Sequence, residues 1–186
     1  RDAGMGDLTG PNRSRVLALN AVVPIASSGN SVRSISAPQL AAVFAGEIVN
    51  WSDLGGPNAP IDLHLPSART GLGQAVEDQV MKPAKLDFGA GIVRHVRGVD
   101  LAQSVAASPF AIGIASYAET GNAQVLNLRG TCGFTLQAAR RSIKTEDYPL
   151  TAPMFLYLPA RRLPKVGREF LAYTRGPSAQ IVIRRA

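Results

Sequence analysis

With 186 residues, 46% of them apolar, the chain is long enough to bury a core as one domain or as two small lobes. Its formal charge of +7 is concentrated at the end, where seven basic residues from Arg161 onward face Glu169 alone, so the remainder is close to neutral. No uninterrupted apolar run approaches the ~20 residues of a membrane helix, and the single Cys132 excludes an internal disulfide while leaving the compartment open.

In chain order, Asp2–Asp7 (DAGMGD) reads as a strand end opening into a loop, and Leu8–Arg13 is turn-rich. Ala18–Ile25 is a near-continuous apolar run bounded by Ser27-Ser28-Gly29-Asn30, as expected for a strand covered on both faces. Ser36 and Gln39 form a capping box, Ile35 is placed to staple onto Leu40, and Leu40, Val43 and Phe44 make one helical face ended by Gly46. An Asn50-Trp51 turn and a Gly55-Gly56-Pro57-Asn58 turn lead into a second strand ending at Pro66. Trp51 is expected to pack in the core, with its ring nitrogen hydrogen-bonded.

Thr70–Met81 predicts a helix with Leu72, Val76 and Val80 at four-residue spacing and Thr70 as cap. Phe88–Val99 reads as loop or edge strand. Asp100–Ala107 predicts a helix boxed by Asp100 and Gln103 and ended by Pro109, followed by a buried strand at Ala111–Ala115. Val125–Leu128 and Met154–Leu158 are further strands, the latter bracketed by Pro153 and Pro159. Val166, Phe170 and Tyr173 share a final helical face, and Ser178 is placed to cap a last turn through Ile183. Strands alternating with helices predict an α/β layered architecture, without internal repeat or low-complexity segment.

The order and residues of Leu17–Pro66 (LALNAVVPIASSGNSVRSISAPQLAAVFAGEIVNWSDLGGPNAPIDLHLP), with SPFAIGIASY and KTEDYPLTAPMFLYLP, resemble the phosphate-binding receptors of bacterial phosphate ABC importers, which are type II periplasmic binding proteins. The subtype most resembled is the one fused to a peptidoglycan-binding domain of the outer-membrane-protein-A kind. The resemblance implies one complete lobe, residues 26–150, and a partial lobe one made of residues 1–25 and 151–186, with strands crossing between them. It also implies that the first strand-helix-strand of lobe one lies outside this chain, so that lobe one lacks cover and the chain self-associates. The implied setting is the periplasm or cell envelope. The implied partners are inorganic phosphate or a similar oxyanion and the membrane subunits of an ABC transporter, with no cofactor.

The family's Ser-Gly-Thr at the start of the second-lobe helix aligns with Thr70-Gly71-Leu72, where Leu72 loses a hydroxyl and keeps its amide. Free amides and the helix dipole favour an anion there. The family's arginine falls on Pro66, Arg69 is a substitute of unknown direction, and Asp7 aligns with the carboxylate that accepts a phosphate proton. The competing reading makes Thr70 only a helix cap, Arg69 a surface charge and Asp7 a turn former.

Catalysis has little support. His64 and His95 are the only histidines, and no motif couples either to a nucleophile; His64, in an apolar strand, reads as structural. Cys132 lacks a Cys-His signature, and no metal-ligand spacing or nucleotide-type Gly loop is present. The basic end admits an anionic-surface or nucleic-acid reading, but no nucleic-acid-binding motif accompanies it, so nucleic acid is not the first choice. A ligand-free envelope interaction module is the rival to the receptor.

Overall fold

The computed structural model describes residues 14–130, 132–158 and 163–185. The chain divides into two compact units, Asn20–Ala152 and a second made of Arg1–Leu19 with Pro153–Ala186. The DAGMGD segment, including Asp7, lies outside the described residues.

The first strand, β1 (Ser14–Ala26), is longer than its apolar run, and only its inner half, Ala21–Ala26, is fully buried. A short β2 (Ser34–Ser36) leads into α1 (Ala37–Ala45). The Ser36–Gln39 capping box forms in both directions, Leu40, Val43 and Phe44 are buried, and Gly46 closes the helix in the left-handed conformation at φ 81°. Asn50 caps a 3-10 turn at Trp51–Leu54, its Oδ1 accepting the Ser52 amide at 2.9 Å and the Ala59 amide at 3.1 Å. Trp51 is fully buried, and its Nε1 donates to the Phe110 carbonyl at 2.8 Å. The turn is thereby fastened to the strand that follows Phe110.

Beyond it come β3 (Asp62–Pro66) and α2 (Gly71–Val76), which runs on through a π turn at Glu77–Met81 into α3 (Lys82–Ala84). Sequence periodicity gave one regular helix to Met81; the extra residue of the π turn lets both Val80 and Met81 face inward. The edge strand β4 (Val93–His95), α4 (Gly98–Ala107) and β5 (Ala111–Ser116) follow. The expected Asp100 box does not form: α4 begins earlier, at Gly98, with Arg97 at the cap position and no side-chain cap bond. Asp100 instead lies in the first turn, 3.9 Å from Arg97, where a negative charge suits the helix dipole. Leu101 and Val105 face inward as expected.

The expected strand at Val125–Leu128 is two strands, β6 (Gln124–Val125) and β7 (Asn127–Arg129), with buried Leu126 between them. The split occurs because the two halves serve different sheets. Then come β8 (Thr135–Leu136), α5 (Arg140–Lys144) and β9 (Thr151–Tyr157). Pro153 is inside β9 rather than before it.

Among the described residues the main sheet has the order β4-β3-β5-β1-β6, with β9 also paired to β1. β3 runs parallel to β4 and β5, while β1 is antiparallel to β5 and β6. A small second sheet pairs β2 with β7 in parallel and β7 with β8 antiparallel. Every residue of β5 is buried, which explains its uninterrupted apolar sequence. Gly113 of β5 is a close-approach position, because a Cβ there would sit 2.8 Å from Val105 Cγ2 of α4.

The Pro153–Ala186 stretch contributes most of β9, α6 (Lys165–Arg175) and α7 (Pro177–Arg185). The last helix opens at Pro177, so Ser178 is in its first turn rather than at its cap; proline at the first position needs no amide partner. Val166, Phe170 and Tyr173 do share α6, and they are 76%, 57% and 55% exposed.

Truncation of Trp51 tests the account of the core. Trp51→Ala is expected to cost about 3–5 kcal/mol of stability. Trp51→Phe should cost about 1–2 kcal/mol, through the lost ring volume and one hydrogen bond, since the Phe110 carbonyl keeps the Asp62 amide at 3.0 Å. Urea titrations followed by far-ultraviolet circular dichroism measure both.

Candidate functional site

At the carboxyl end of β3 the chain leaves the sheet through Ser67, and the next turn is closed by Ser67's own backbone. Its amide donates to the His95 carbonyl at 2.7 Å. Its carbonyl accepts both the Thr70 amide at 2.9 Å and the Thr70 hydroxyl at 2.7 Å. Thr70 Oγ1 in turn accepts the Gly73 amide at 3.0 Å, and the Thr70 carbonyl takes the Gln74 amide at 3.0 Å. Gln74 Nε2 reaches back to the Ala68 carbonyl at 3.1 Å.

Gly73 makes this loop possible. A Cβ at that position would overlap the Ser67 carbonyl oxygen, so the helix can press against the loop only with glycine there. The helix-start amides that remain are those of Gly71 and Leu72; neither has a partner among the described residues. These amides sit at the carboxyl end of a parallel strand, the end at which open α/β sheets present their ligands.

Thr70, Gly71 and Leu72 are therefore brought together at one helix start. The Thr70 hydroxyl proton is committed to Ser67, which makes it a cap in this conformation and leaves the two amides as the ready donors. Arg69 is exposed, and its amide lies 3.4 Å from Ser67 Oγ. A second arginine, which sequence reasoning passed over, reaches the same strand end. Arg94 Nη1 donates to the Pro66 carbonyl at 3.1 Å, and its guanidinium lies 4.4 Å from the centre of the Phe88 ring. Burial lowers its pKa, with Glu77 opposing. Positive charge thus arrives from β4 beside the position where β3 carries Pro66. Only the register of β3 with β4, Leu65 opposite Arg94, reveals this.

The structure also pairs the two histidines, which the sequence reading left separate. His64 Nδ1 and His95 Nε2 are 3.0 Å apart across β3 and β4, a contact without a sequence signal because 31 residues separate them. Cys132 is exposed, and no group of three or more candidate metal ligands occurs among the described residues. No helix among them is long and apolar enough to cross a membrane.

Residues 5–176 match the family described as "PBP superfamily domain". The chain belongs to that superfamily. It is 25% identical over 169 residues to the phosphate-binding protein PstS of Staphylococcus haemolyticus, covering 85% of this chain and 52% of that protein. The chain thus spans about half the length of this curated relative. Among solved structures it is similar to an ABC-type phosphate transport receptor from Vibrio cholerae, with a TM-score of 0.74 at 17% identity, over 94% of this chain and 71% of that one. It is also similar to a Clostridium perfringens substrate-binding protein assigned to phosphate ABC transport and solved with bound phosphate. That match has a TM-score of 0.78 at 20% identity, over 91% of this chain and 68% of the other. The fold is α/β, of the type II periplasmic-binding-protein kind.

The cap has a measurable weight. Thr70→Val, which removes both hydroxyl bonds, is expected to lower stability by about 1 kcal/mol, and Thr70→Ser by far less. Chemical denaturation of the two variants side by side gives the comparison.

Proposed function

We propose that this chain binds a small oxyanion, phosphate first, as part of an extracytoplasmic receptor in the periplasm or cell envelope that delivers it to ABC transporter membrane subunits. It binds and releases without chemistry. The observation that carries this reading is the pair of unpartnered amides at Gly71 and Leu72, presented by a capped helix start at the carboxyl end of β3. The names of the similar proteins support it, each of them a phosphate-binding or phosphate-transport protein. In this reading residues 26–150 form lobe two, and residues 1–25 with 151–186 belong to lobe one. Arg69 would substitute for the arginine that Pro66 replaces, and Asp7 would supply the carboxylate that accepts a phosphate proton.

Affinity in this chain is expected to be weak. Leu72 supplies no hydroxyl, Pro66 no guanidinium, and each lost charge-assisted hydrogen bond costs on the order of 1.5–3 kcal/mol. Calorimetry with phosphate, with sulfate and with buffer alone, on chains with and without upstream residues, tests the assignment. Micromolar or tighter phosphate binding that survives Gly71→Pro, which removes one of the two amides at a helix position that tolerates proline, would refute the placement. A specific observation also favours the rival, a receptor-like envelope module without ligand: the Thr70 hydroxyl is already spent within the loop. Absence of heat with every anion, at every chain length, would establish that rival.

We further propose that this chain self-associates through its Pro153–Ala186 region. Met154, Phe155 and Tyr157 of β9 are exposed together with Val166, Phe170 and Tyr173 of α6. Exposed strands recruit further strands, and uncovered apolar faces mark interaction surfaces. A second copy offers the same strand and helix, and its like charge makes the association stronger at high salt, where repulsion is screened. Light scattering at low and high salt tests this. A monomer under both conditions would sink it.

A further inference from the structure

The contact between His64 and His95 has a geometry that limits its chemistry. The ring centres are 5.2 Å apart while the facing nitrogens are 3.0 Å apart, with the ring planes at 30°. Those two separations differ by about the two ring radii, so the rings meet end to end and the facing lone-pair directions point at each other. That arrangement suits one N–H shared between two nitrogens. It does not suit a common metal ion, which would need both lone pairs to converge on a third point.

His64 is in register with Gly113, so its ring shares the sheet face on which α4 packs Val105 and Leu101. The buried residues of α4 on that face, Leu101, Ala102 and Val105, carry no charge, nor does any residue of β5. The charged groups nearby are Asp62 on β3, held by Ser108 Oγ at 2.8 Å, the exposed Arg97–Asp100 pair at the start of α4, and Glu119 against Gly98. Arg94, next to His95 in an extended strand, points to the other face.

Two neutral imidazoles fill the bridge with a single N–H. One added proton goes to an outward nitrogen and leaves that bridge intact. A second added proton puts N–H groups on both facing nitrogens, and the bridge breaks. The consequence reaches the anion loop, because His95 is also the residue whose carbonyl holds the Ser67 amide. β4 is three residues long and lies at the sheet edge, so few other bonds fix it.

We propose that the His64–His95 bridge is a positioning device for the Ser67–Thr70 loop, holding it while the pair carries at most one positive charge and releasing it when both rings are protonated. This rests on the oxyanion reading of that loop. The direction of titration agrees: burial, and then His95, lower the His64 pKa from its ordinary 6.5, with Asp62 acting the other way. Below that pH the unfolded chain binds more protons at His64 than the folded one. The contribution to stability is therefore full above 6.5 and is lost as pH falls through the lower folded value.

The test follows the Ser67 amide by hydrogen exchange, corrected for intrinsic rate, and phosphate binding by calorimetry, from about pH 8 to about pH 5. The full chain is compared with His64→Asn and His95→Gln, which keep a hydrogen-bonding group near the facing nitrogen and remove the titration. In the wild type, protection of Ser67 should fall roughly tenfold per pH unit once opening takes up the second proton; both variants should stay flat. Phosphate affinity should fall in the same window in the wild type relative to the variants. Flat protection in the wild type, or variants that titrate like it, would overturn the proposal. Titrating protection with no phosphate binding at any pH would overturn the oxyanion reading and leave the bridge standing. Phosphate binding with flat protection would do the reverse. The ring nitrogen shifts of the wild type decide without any variant: two separated steps support the bridge, and two independent, coincident titrations refute it.

Discussion

The backbone of Ser67 is the constraint on which the functional end of this molecule depends. Its amide is held by the edge strand through His95, and its carbonyl takes two hydrogen bonds from Thr70. Those bonds point in different directions, so they fix both where β3 ends and where α2 begins. The sheet supplies the rigidity behind them: β3 is flanked by parallel neighbours on both sides, and β5 is buried along its whole length. Gly73 completes the fit by permitting the helix to touch the loop. With the Thr70 hydroxyl and the Gly73 and Gln74 amides occupied, the amides of exposed Gly71 and half-buried Leu72 are left to water or to a ligand.

An anion is a good answer to two free amides at a helix start, and the local charge adds to it. Arg94 reaches the carboxyl end of β3, Arg69 lies in the loop that follows it, and Glu77, further along the helix, acts on Arg94. Arg94 differs from a free guanidinium because it also faces the Phe88 ring and bonds to Pro66. Its role at this end is therefore to set the field and to tie β4 to β3, rather than to swing freely toward a ligand. Arg69 is the exposed and adaptable one.

Much of this was legible in the sequence where the signal was local. The Ser36–Gln39 box, the Gly46 stop, the Thr70 cap and the buried Trp51 each follow from residues within a few positions of one another. The failures share a cause too. Asp100 looked like a cap because it begins an apolar pattern, but Gly98 and Val99 extend α4 backward and Arg97 takes the boundary. Val125–Leu128 looked like one strand because periodicity cannot say that its halves pair with different partners. His64 with His95, and Arg94 with Pro66, depend on strand register across long separations, which no window of sequence contains.

The exposed apolar surface of the Pro153–Ala186 region belongs to the same logic. β9 carries Met154, Phe155 and Tyr157 in a run that a buried strand would have, yet all three are exposed. On α6 the apolar residues are spaced to face one neighbour, while Lys165, Arg168 and Arg175 occupy other positions on the helix. Scattered exposed apolar residues are ordinary in folded proteins, but a strand and a helix both patterned for burial are not. The proposed self-association would cover both at once. The proposed contact falls on the region that also bears most of the chain's net positive charge. A partner surface that is apolar with an acidic margin would satisfy both features at once, whereas a like-charged copy satisfies the apolar pattern against its own electrostatic repulsion, which is why ionic strength separates the two.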